Sequence, residues 1–94
     1  MSVAVQNPYI SARPGVCGGR PCIAETRIAV MDVVALTRRG YFPVEVVDAF
    51  PHLTLAQVHA ALAYYYDHQT EVDASFAEED RMVEAHRKAD PGIA

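Results

Sequence analysis

Two cysteines and four histidines are the side chains of this 94-residue sequence that could perform nucleophilic or metal chemistry. Cys17 and Cys22 are separated by the turn-forming sequence Gly-Gly-Arg-Pro. A structural zinc site needs four ligands, usually arranged as two close pairs, and the sequence offers no second cysteine pair. The histidines are dispersed over the second half of the chain, as His52, His59, His68 and His86. We therefore expect free thiols, structural histidines, no catalytic residues and no metal or cofactor.

Arginines give the first half of the chain a different charge from the second half. Residues 1–47 hold five basic and three acidic residues, whereas residues 48–94 hold three basic and nine acidic residues. Phosphate contacts from guanidinium groups dominate protein–DNA affinity, and glutamine can bind a base edge. The candidate DNA-binding residues are therefore Arg13, Arg20, Arg27, Arg38, Arg39 and Gln57.

The composition predicts one globular domain. The net charge is −4, and hydrophobic residues make up 51% of the chain, which is typical of a folded protein. No apolar run approaches the roughly 18 residues that a membrane-spanning helix needs. The first ten residues lack the basic segment of a secretory signal, so we expect a cytoplasmic protein.

Turn-forming residues dominate the first third of the chain, and short apolar pieces lie between them. The turns are predicted at Asn7-Pro8, Arg13-Pro14-Gly15 and Gly18-Gly19. The apolar pieces are Tyr9-Ile10, Cys22-Ile23 and Ile28 to Val30. Strands this short need a covering layer to be stable in water. The pattern predicts a small N-terminal β element packed on helices.

Helical periodicity begins near Val30 and is interrupted by helix-breaking residues. Gly40 is a C-terminal stop for the first helix. Pro43 suits the first turn of a second helix, which Pro51 ends. Phe42 is a poor N-cap for this helix, so we expect a ragged start.

A third helix is predicted from Thr54, as its N-cap, to about His68. Its inward face is predicted to hold Leu55, Val58, Leu62, Tyr65 and Tyr66. Its outward face includes Ala60, Ala61 and Tyr64, and such small residues would allow a homodimer to pack closely. Three consecutive helices joined by tight turns predict a mainly α fold with a tri-helical helix-turn-helix core, whose third helix would be the recognition helix.

A fourth helix is predicted from about Ala74 to Lys88, within an acidic segment of residues 69–94 that follows the domain of residues 1–68. Its apolar stripe is narrow, as in helices that dock into the groove of a partner. The candidate partner-binding residues are Phe76, Glu79, Met82 and Val83. The alternative is that Phe76 and Val83 pack on this protein's own third helix.

Two motifs resemble the signature of a known family. They are Arg-Pro-Gly-Val-Cys-Gly-Gly-Arg-Pro-Cys-Ile-Ala-Glu-Thr-Arg-Ile at residues 13–28 and Phe-Pro-His-Leu-Thr at residues 50–54, followed by a helix rich in alanine and tyrosine. Their order and spacing resemble the small prokaryotic domain of unknown function 433, over about residues 9–68. The chain departs from the family pattern at Glu25, where glycine is usual. If that position has a positive φ, Glu25 is strained. A second departure is Phe42, where a Ser or Thr cap is usual.

The resemblance implies a homeodomain-like fold, a dimer and an antitoxin of the VapB type. It also implies a partner toxin with a PIN-like nuclease fold. We therefore expect the antitoxin of a prokaryotic type II toxin–antitoxin pair, which binds its toxin; operator DNA is a second candidate ligand. The alternative is a dimeric DNA-binding regulator or an interaction module without a toxin.

Overall fold

A short β element precedes a bundle of helices. The computed structural model describes residues 7–89. Strands β1 (Ile10–Ser11) and β2 (Cys22–Ile23) pair antiparallel, with Ile10 opposite Ile23. Among the described residues four α-helices follow, namely α1 (Val30–Arg38), α2 (Pro43–Ala49), α3 (Leu55–Asp67) and α4 (Gln69–Ala89). The predicted small β element and mainly helical fold are confirmed.

Side chains near the helix starts make hydrogen bonds at the beginnings of α2 and α3. At α3, Thr54 Oγ1 accepts from the backbone N–H of Gln57 at 3.1 Å, and Gln57 Oε1 accepts from the backbone N–H of Thr54 at 2.7 Å. This is a reciprocal capping box, and it confirms Thr54 as the N-cap. At α2, the Glu45 carboxylate accepts from the Phe42 N–H at 2.8 Å. The helix begins at Pro43, and Phe42 supplies no side-chain cap to its first turn, as its residue type predicted.

The core lies around α3, which packs against α1, α2, α4 and both strands. Thus α3 has neighbours on more than one side. The largest fully buried side chains are Cys22, Ile23, Val30, Val33, Val34, Val46 and Val58. They come from β2, α1, α2 and α3, so the β element and the first three helices share one core.

The buried face of α3 is rotated from the predicted one. Ala61, predicted to face outward, is fully buried, whereas Leu55 and Tyr66, predicted to face inward, are 46% and 69% exposed. The buried residues of α3 are Val58, Ala61 and Tyr65. Apolar periodicity predicted the wrong buried face because this helix is apolar on most sides. Other elements pack against several sides of α3, and the small Ala61 lies in the interior.

The fourth helix begins earlier than predicted and serves two purposes. It starts at Gln69 rather than near Ala74, and His68 alone separates it from the end of α3. Val72 is only 4% exposed and belongs to the core, so the first turn of α4 is held there by apolar burial. Side chains at positions 77–87 are all exposed. The chain therefore measures 55 Å along its longest axis and 32 Å along the next.

Candidate functional site

The first half of α4 is attached to the helical core around Arg38, at the end of α1. The Arg38 guanidinium donates to Asp73 Oδ1 at 2.5 Å and to the Tyr65 hydroxyl at 3.3 Å. The same hydroxyl donates to Asp73 at 2.9 Å. The guanidinium also lies 4.3 Å from the ring centroid of Phe76. The hydrogen bond to Tyr65 raises the pKa of Arg38, and Asp73 adds to the rise, so this side chain stays charged within the cluster.

A second contact attaches α4 to the turn before β2. Arg20 donates to Glu79 Oε2 at 3.2 Å and lies 3.8 Å from the sulfur of Met31. Arg20 and Arg38 were both predicted to bind DNA phosphates, and here each is paired with an acidic residue of α4. The sequence did not single out Asp73. The available signal was its position three residues before Phe76 on the same helix.

The other predicted DNA-binding residues differ in their availability. Arg13, Arg27 and Arg39 are exposed, and no ion pair engages them within residues 7–89. Gln57 uses its side-chain oxygen in the cap of α3, so that oxygen is not free to read a base. The predicted DNA-binding residues therefore do not form one contact cluster. Two of the five arginines are paired with α4, and the other three are not.

The four predicted partner-binding residues divide between the two halves of α4. Phe76 is half-buried against the core, and the Arg38 guanidinium of α1 lies 4.3 Å from its ring centroid. Glu79 is paired with Arg20. Met82 and Val83 are 60% and 52% exposed, and for Val83 the alternative of packing on this protein's own third helix was wrong. The projecting end of α4, defined as residues 80–87, thus presents adjacent apolar side chains.

Charged residues flank Met82 and Val83 in the sequence of α4. Asp80 and Glu84 are exposed near them, and Arg81 pairs with Glu78 at 2.7 Å along the helix. Arg87 lies 3.7 Å from Glu84. Arg81 and Arg87 therefore each have an acidic neighbour on α4, and Asp80 adds negative charge beyond these two pairs. The structure does not describe the side chain of Lys88 or residues 90–94, which belong to the predicted acidic segment.

The two cysteines are free thiols that lie near one strand-turn segment. Cys17 Sγ donates to the backbone carbonyl of Arg27 at 3.1 Å, and Cys22 Sγ lies 3.7 Å from that of Thr26. Burial raises the pKa of Cys17, and the neighbouring Cys22 raises it further. A protonated thiol is a poor nucleophile, so this arrangement suits structural thiols. Within residues 7–89 no cluster of three or more His, Cys, Asp or Glu side chains could hold a metal ion.

Histidine and tyrosine pack together at the end of α3. The rings of His68 and Tyr64 stack with centroids 4.0 Å apart, and His68 Nδ1 lies 3.0 Å from the Tyr64 carbonyl oxygen. His68 thus occupies a structural position at the break between α3 and α4. His52, His59 and His86 are exposed and are not brought together with either cysteine.

The strain expected at Glu25 is present. Its φ is +65°, a left-handed conformation that glycine adopts at little cost. Glu25 lies in the turn between β2 and Ala29, whose backbone bridges to Cys22. The departure from glycine at this position is therefore a local cost that the fold tolerates.

Comparison with known proteins supports the resemblance drawn from the motifs. Residues 10–65, from β1 to near the end of α3, match the family described as protein of unknown function, DUF433. A crystal structure of a DUF433 member protein from Anabaena variabilis ATCC 29413 is similar to this chain, with 39% sequence identity and a TM-score of 0.69. The match covers 77% of this chain and 70% of that chain. No curated protein matches the sequence. No helix of the described part of the chain is long and apolar enough to cross a membrane.

Proposed function

We propose that this chain, which belongs to the DUF433 family, is a non-catalytic interaction protein and the antitoxin of a toxin–antitoxin pair. The projecting end of α4 is its toxin-binding element. The observation that carries the proposal is the exposure of Met82 and Val83, at 60% and 52%, on a helix whose preceding half is fixed to the core. Exposed apolar side chains on a projecting helix can be buried by a groove on a partner.

The charge around these side chains selects the kind of partner. A nuclease presents a positive surface to RNA, and an acidic helix can occupy that surface and exclude the substrate by charge and bulk. Asp80 and Glu84 supply exposed acidic groups that flank Met82 and Val83 in the sequence. The toxin is therefore a nuclease with a PIN-like fold, as the VapB-type resemblance implies, and α4 covers its RNA-binding surface.

DNA binding is the second candidate function, and it is favoured by the exposed arginines. Arg13, Arg27 and Arg39 are exposed and have no ion pair among residues 7–89. Helices α1 to α3 would then act as a homeodomain-like, helix-turn-helix unit that holds the operator through phosphate contacts. The exposed face of α3 carries no arginine or lysine, so base reading by this helix receives less support than phosphate binding.

A double substitution at the projecting end tests the antitoxin proposal. Met82→Asp with Val83→Asp puts two charges where the partner would bury apolar groups, and both positions are exposed, so the fold should be unaffected. The chain should be co-expressed with the product of the flanking reading frame. The native chain should copurify with that protein and relieve its toxicity, and the double variant should do neither.

A control variant separates loss of binding from a general effect of added charge. Val44 is 62% exposed on α2, far along the chain from α4, and Val44→Asp adds one charge there. This variant should keep the native copurification and relief of toxicity. Equal binding by the native chain and the Met82→Asp, Val83→Asp variant would overturn the assignment of α4 as the toxin-binding element.

A further inference from the structure

Cys17 and Cys22 meet at one turn of the β element. Cys17 Sγ donates to the backbone carbonyl of Arg27 at 3.1 Å, and Cys22 Sγ lies 3.7 Å from the backbone carbonyl of Thr26. Because these carbonyls belong to consecutive residues, both sulfur atoms lie beside the same short stretch of backbone. The thiol of Cys22 is also within hydrogen-bonding reach of Cys17. The fold therefore holds two reduced thiols next to each other.

The two thiols differ in their access to solvent. Cys22 is fully buried in the core, whereas Cys17 is half-buried. Cys17 lines a cleft of about 270 Å³, and the side chains of Arg20 and Arg27 line the same cleft. A small polar oxidant can therefore reach Cys17 but not Cys22. The guanidinium groups can stabilise negative charge on a sulfur atom or on a leaving hydroxide.

The surroundings of Cys17 also determine how fast it reacts. Burial raises the pKa of the Cys17 thiol, and Cys22 and Asp32 raise it further. Arg27 acts in the opposite direction and lowers this pKa. The thiolate is the reactive form, and only a small fraction of Cys17 is ionised near neutral pH. The thiols are therefore structural in the reduced protein, and their oxidation should be slow near neutral pH and faster as pH rises.

We propose that Cys17 and Cys22 are a site of reversible oxidation, at which hydrogen peroxide converts the two thiols into a disulfide. The Cys17 thiolate attacks one peroxide oxygen, the O–O bond breaks, and the leaving hydroxide takes up a proton to become water. Cys17 then carries a sulfenic acid. The Cys22 sulfur attacks the Cys17 sulfur, the S–O bond breaks, and a second water leaves as the S–S bond forms. Two thiols are oxidised, one peroxide is reduced to two waters, and a dithiol reductant reverses the change.

The disulfide would close residues 17–22 into a loop at a place where α4 is attached. Arg20 lies within this loop and donates to Glu79 of α4 at 3.2 Å. A cross-link restricts the unfolded chain and so stabilises the folded chain. Loss of the hydrogen bond from Cys17 to the Arg27 carbonyl offsets part of this gain. We expect the oxidised chain to melt several degrees above the reduced chain.

Mass spectrometry of the folded chain after treatment with hydrogen peroxide tests the inference. Free thiols are alkylated in denaturant before digestion with trypsin, which does not cut before proline. Because Arg13 and Arg20 both precede proline, residues 1–27 form one peptide that contains both cysteines. This peptide should carry no alkyl group after oxidation. Treatment with a dithiol before alkylation should restore two alkyl groups, because a disulfide is reducible and a sulfinic acid is not.

Two serine variants separate the roles of the thiols. In Cys22→Ser, Cys17 should form a sulfenic acid that dimedone traps, because no second thiol resolves it. In Cys17→Ser, the buried Cys22 should give no dimedone adduct in the folded chain. Thermal unfolding of each variant shows whether it is folded, and the measurement on the native chain decides the question without either variant.

Three results would each overturn the inference. The first is a native chain whose two cysteines remain alkylatable after prolonged oxidation at raised pH. The second is a Cys17 sulfinic acid beside a free Cys22, and the third is a set of disulfides that form only between chains. A cross-linked chain that melts below the reduced chain would contradict the expected stabilisation. No step involves a toxin or DNA, so this inference and the proposed function can fail separately.

Discussion

Arg38, on α1, donates to Asp73, on α4, at 2.5 Å, although the two residues are 35 positions apart in the chain. The same guanidinium lies 4.3 Å from the ring centroid of Phe76, one turn further along α4. An ion pair and a cation–π contact therefore act together on one segment. They hold the first half of α4 to the helical core while the second half projects.

Removal of this contact should destabilise the fold modestly. Arg38 and Asp73 are 45% and 44% exposed, so solvent screens their attraction, and the pair with the cation–π contact should contribute about 1 kcal/mol. Arg38→Ala should therefore lower the melting temperature by roughly 4–8 °C in a domain of this size. The matched control is Arg81→Ala, which removes a more exposed pair with Glu78 and should change it by far less. Equal effects of the two substitutions would contradict the role given to Arg38.

A glycine at position 25 should stabilise the protein. Glu25 has a φ of +65°, which costs a residue with a Cβ on the order of 1 kcal/mol. Glu25→Gly removes the strain, although greater freedom of the unfolded chain offsets part of the gain. We expect a melting temperature higher by a few degrees. Glu25→Ala removes the carboxylate but keeps the Cβ, and it should give no such increase. A rise of equal size for both would assign the effect to charge instead.

Neighbouring arginines should respond differently in a DNA-binding assay. Arg39 is exposed without an ion pair in the described part of the chain, whereas Arg38 is bound by Asp73. Arg39→Glu should weaken binding to promoter DNA and flatten its salt dependence, since a phosphate contact is lost. Arg38→Glu should mainly lower the melting temperature. Titration of both variants at several salt concentrations measures this difference. If Arg39→Glu leaves affinity and salt slope unchanged, Arg39 is only a helix-end cation.

Cys17 should titrate above the pH range of an ordinary thiol. Burial raises its pKa, with Cys22 adding to the rise, so the folded protein holds this proton more tightly than the unfolded chain does. Its contribution to stability is therefore complete below the pKa of the unfolded thiol and falls as pH rises through the folded value. The rate of alkylation of Cys17 against pH measures the shift directly. A midpoint at or below that of an unfolded peptide thiol would refute the prediction.

The local features of the fold could be predicted because they depend on neighbouring residues. Gly40 and Pro43 bound two helices through backbone chemistry that needs no tertiary contact. The capping box of Thr54 and Gln57 spans only three residues, and Thr54 was predicted as the N-cap from its type. The strain at Glu25 was expected from the glycine that is usual in the family there, and it too is confined to one turn. Each of these features depends only on local backbone geometry.

The rotation of α3 and the start of α4 could not be predicted in the same way. Apolar residues occur on most sides of α3, so periodicity could not choose Ala61 over Leu55 as the buried residue. The ion pairs of the candidate site join residues far apart in the chain, since Arg20 and Glu79 are separated by 59 positions. Charge asymmetry predicted basic and acidic halves, but it could not show that two of the arginines would be bound by the acidic half itself.

A truncation that keeps the fold stable must end within α4, not at the boundary between residues 1–68 and 69–94 that the sequence suggested. If residues 69–94 served only to dock a partner, a cut after Gln69 would leave a stable fold. Val72 is buried, and Asp73 and Phe76 contact Arg38. Their removal should unfold the chain or lower its melting temperature strongly. A cut after Asp80 spares these contacts and also keeps Glu79 with Arg20.

Calorimetric titration of the product of the flanking reading frame with the chain cut after Asp80 tests whether the projecting end of α4 binds the proposed toxin. The cut removes Met82 and Val83, which are exposed, so the melting temperature should remain close to that of the full chain. Anchoring residues of an interface typically contribute about 2 kcal/mol or more each, so we expect the affinity to fall by about a hundredfold or more. A folded, truncated chain that binds this product as tightly as the full chain would contradict the claim that the projecting end of α4 is the toxin-binding element.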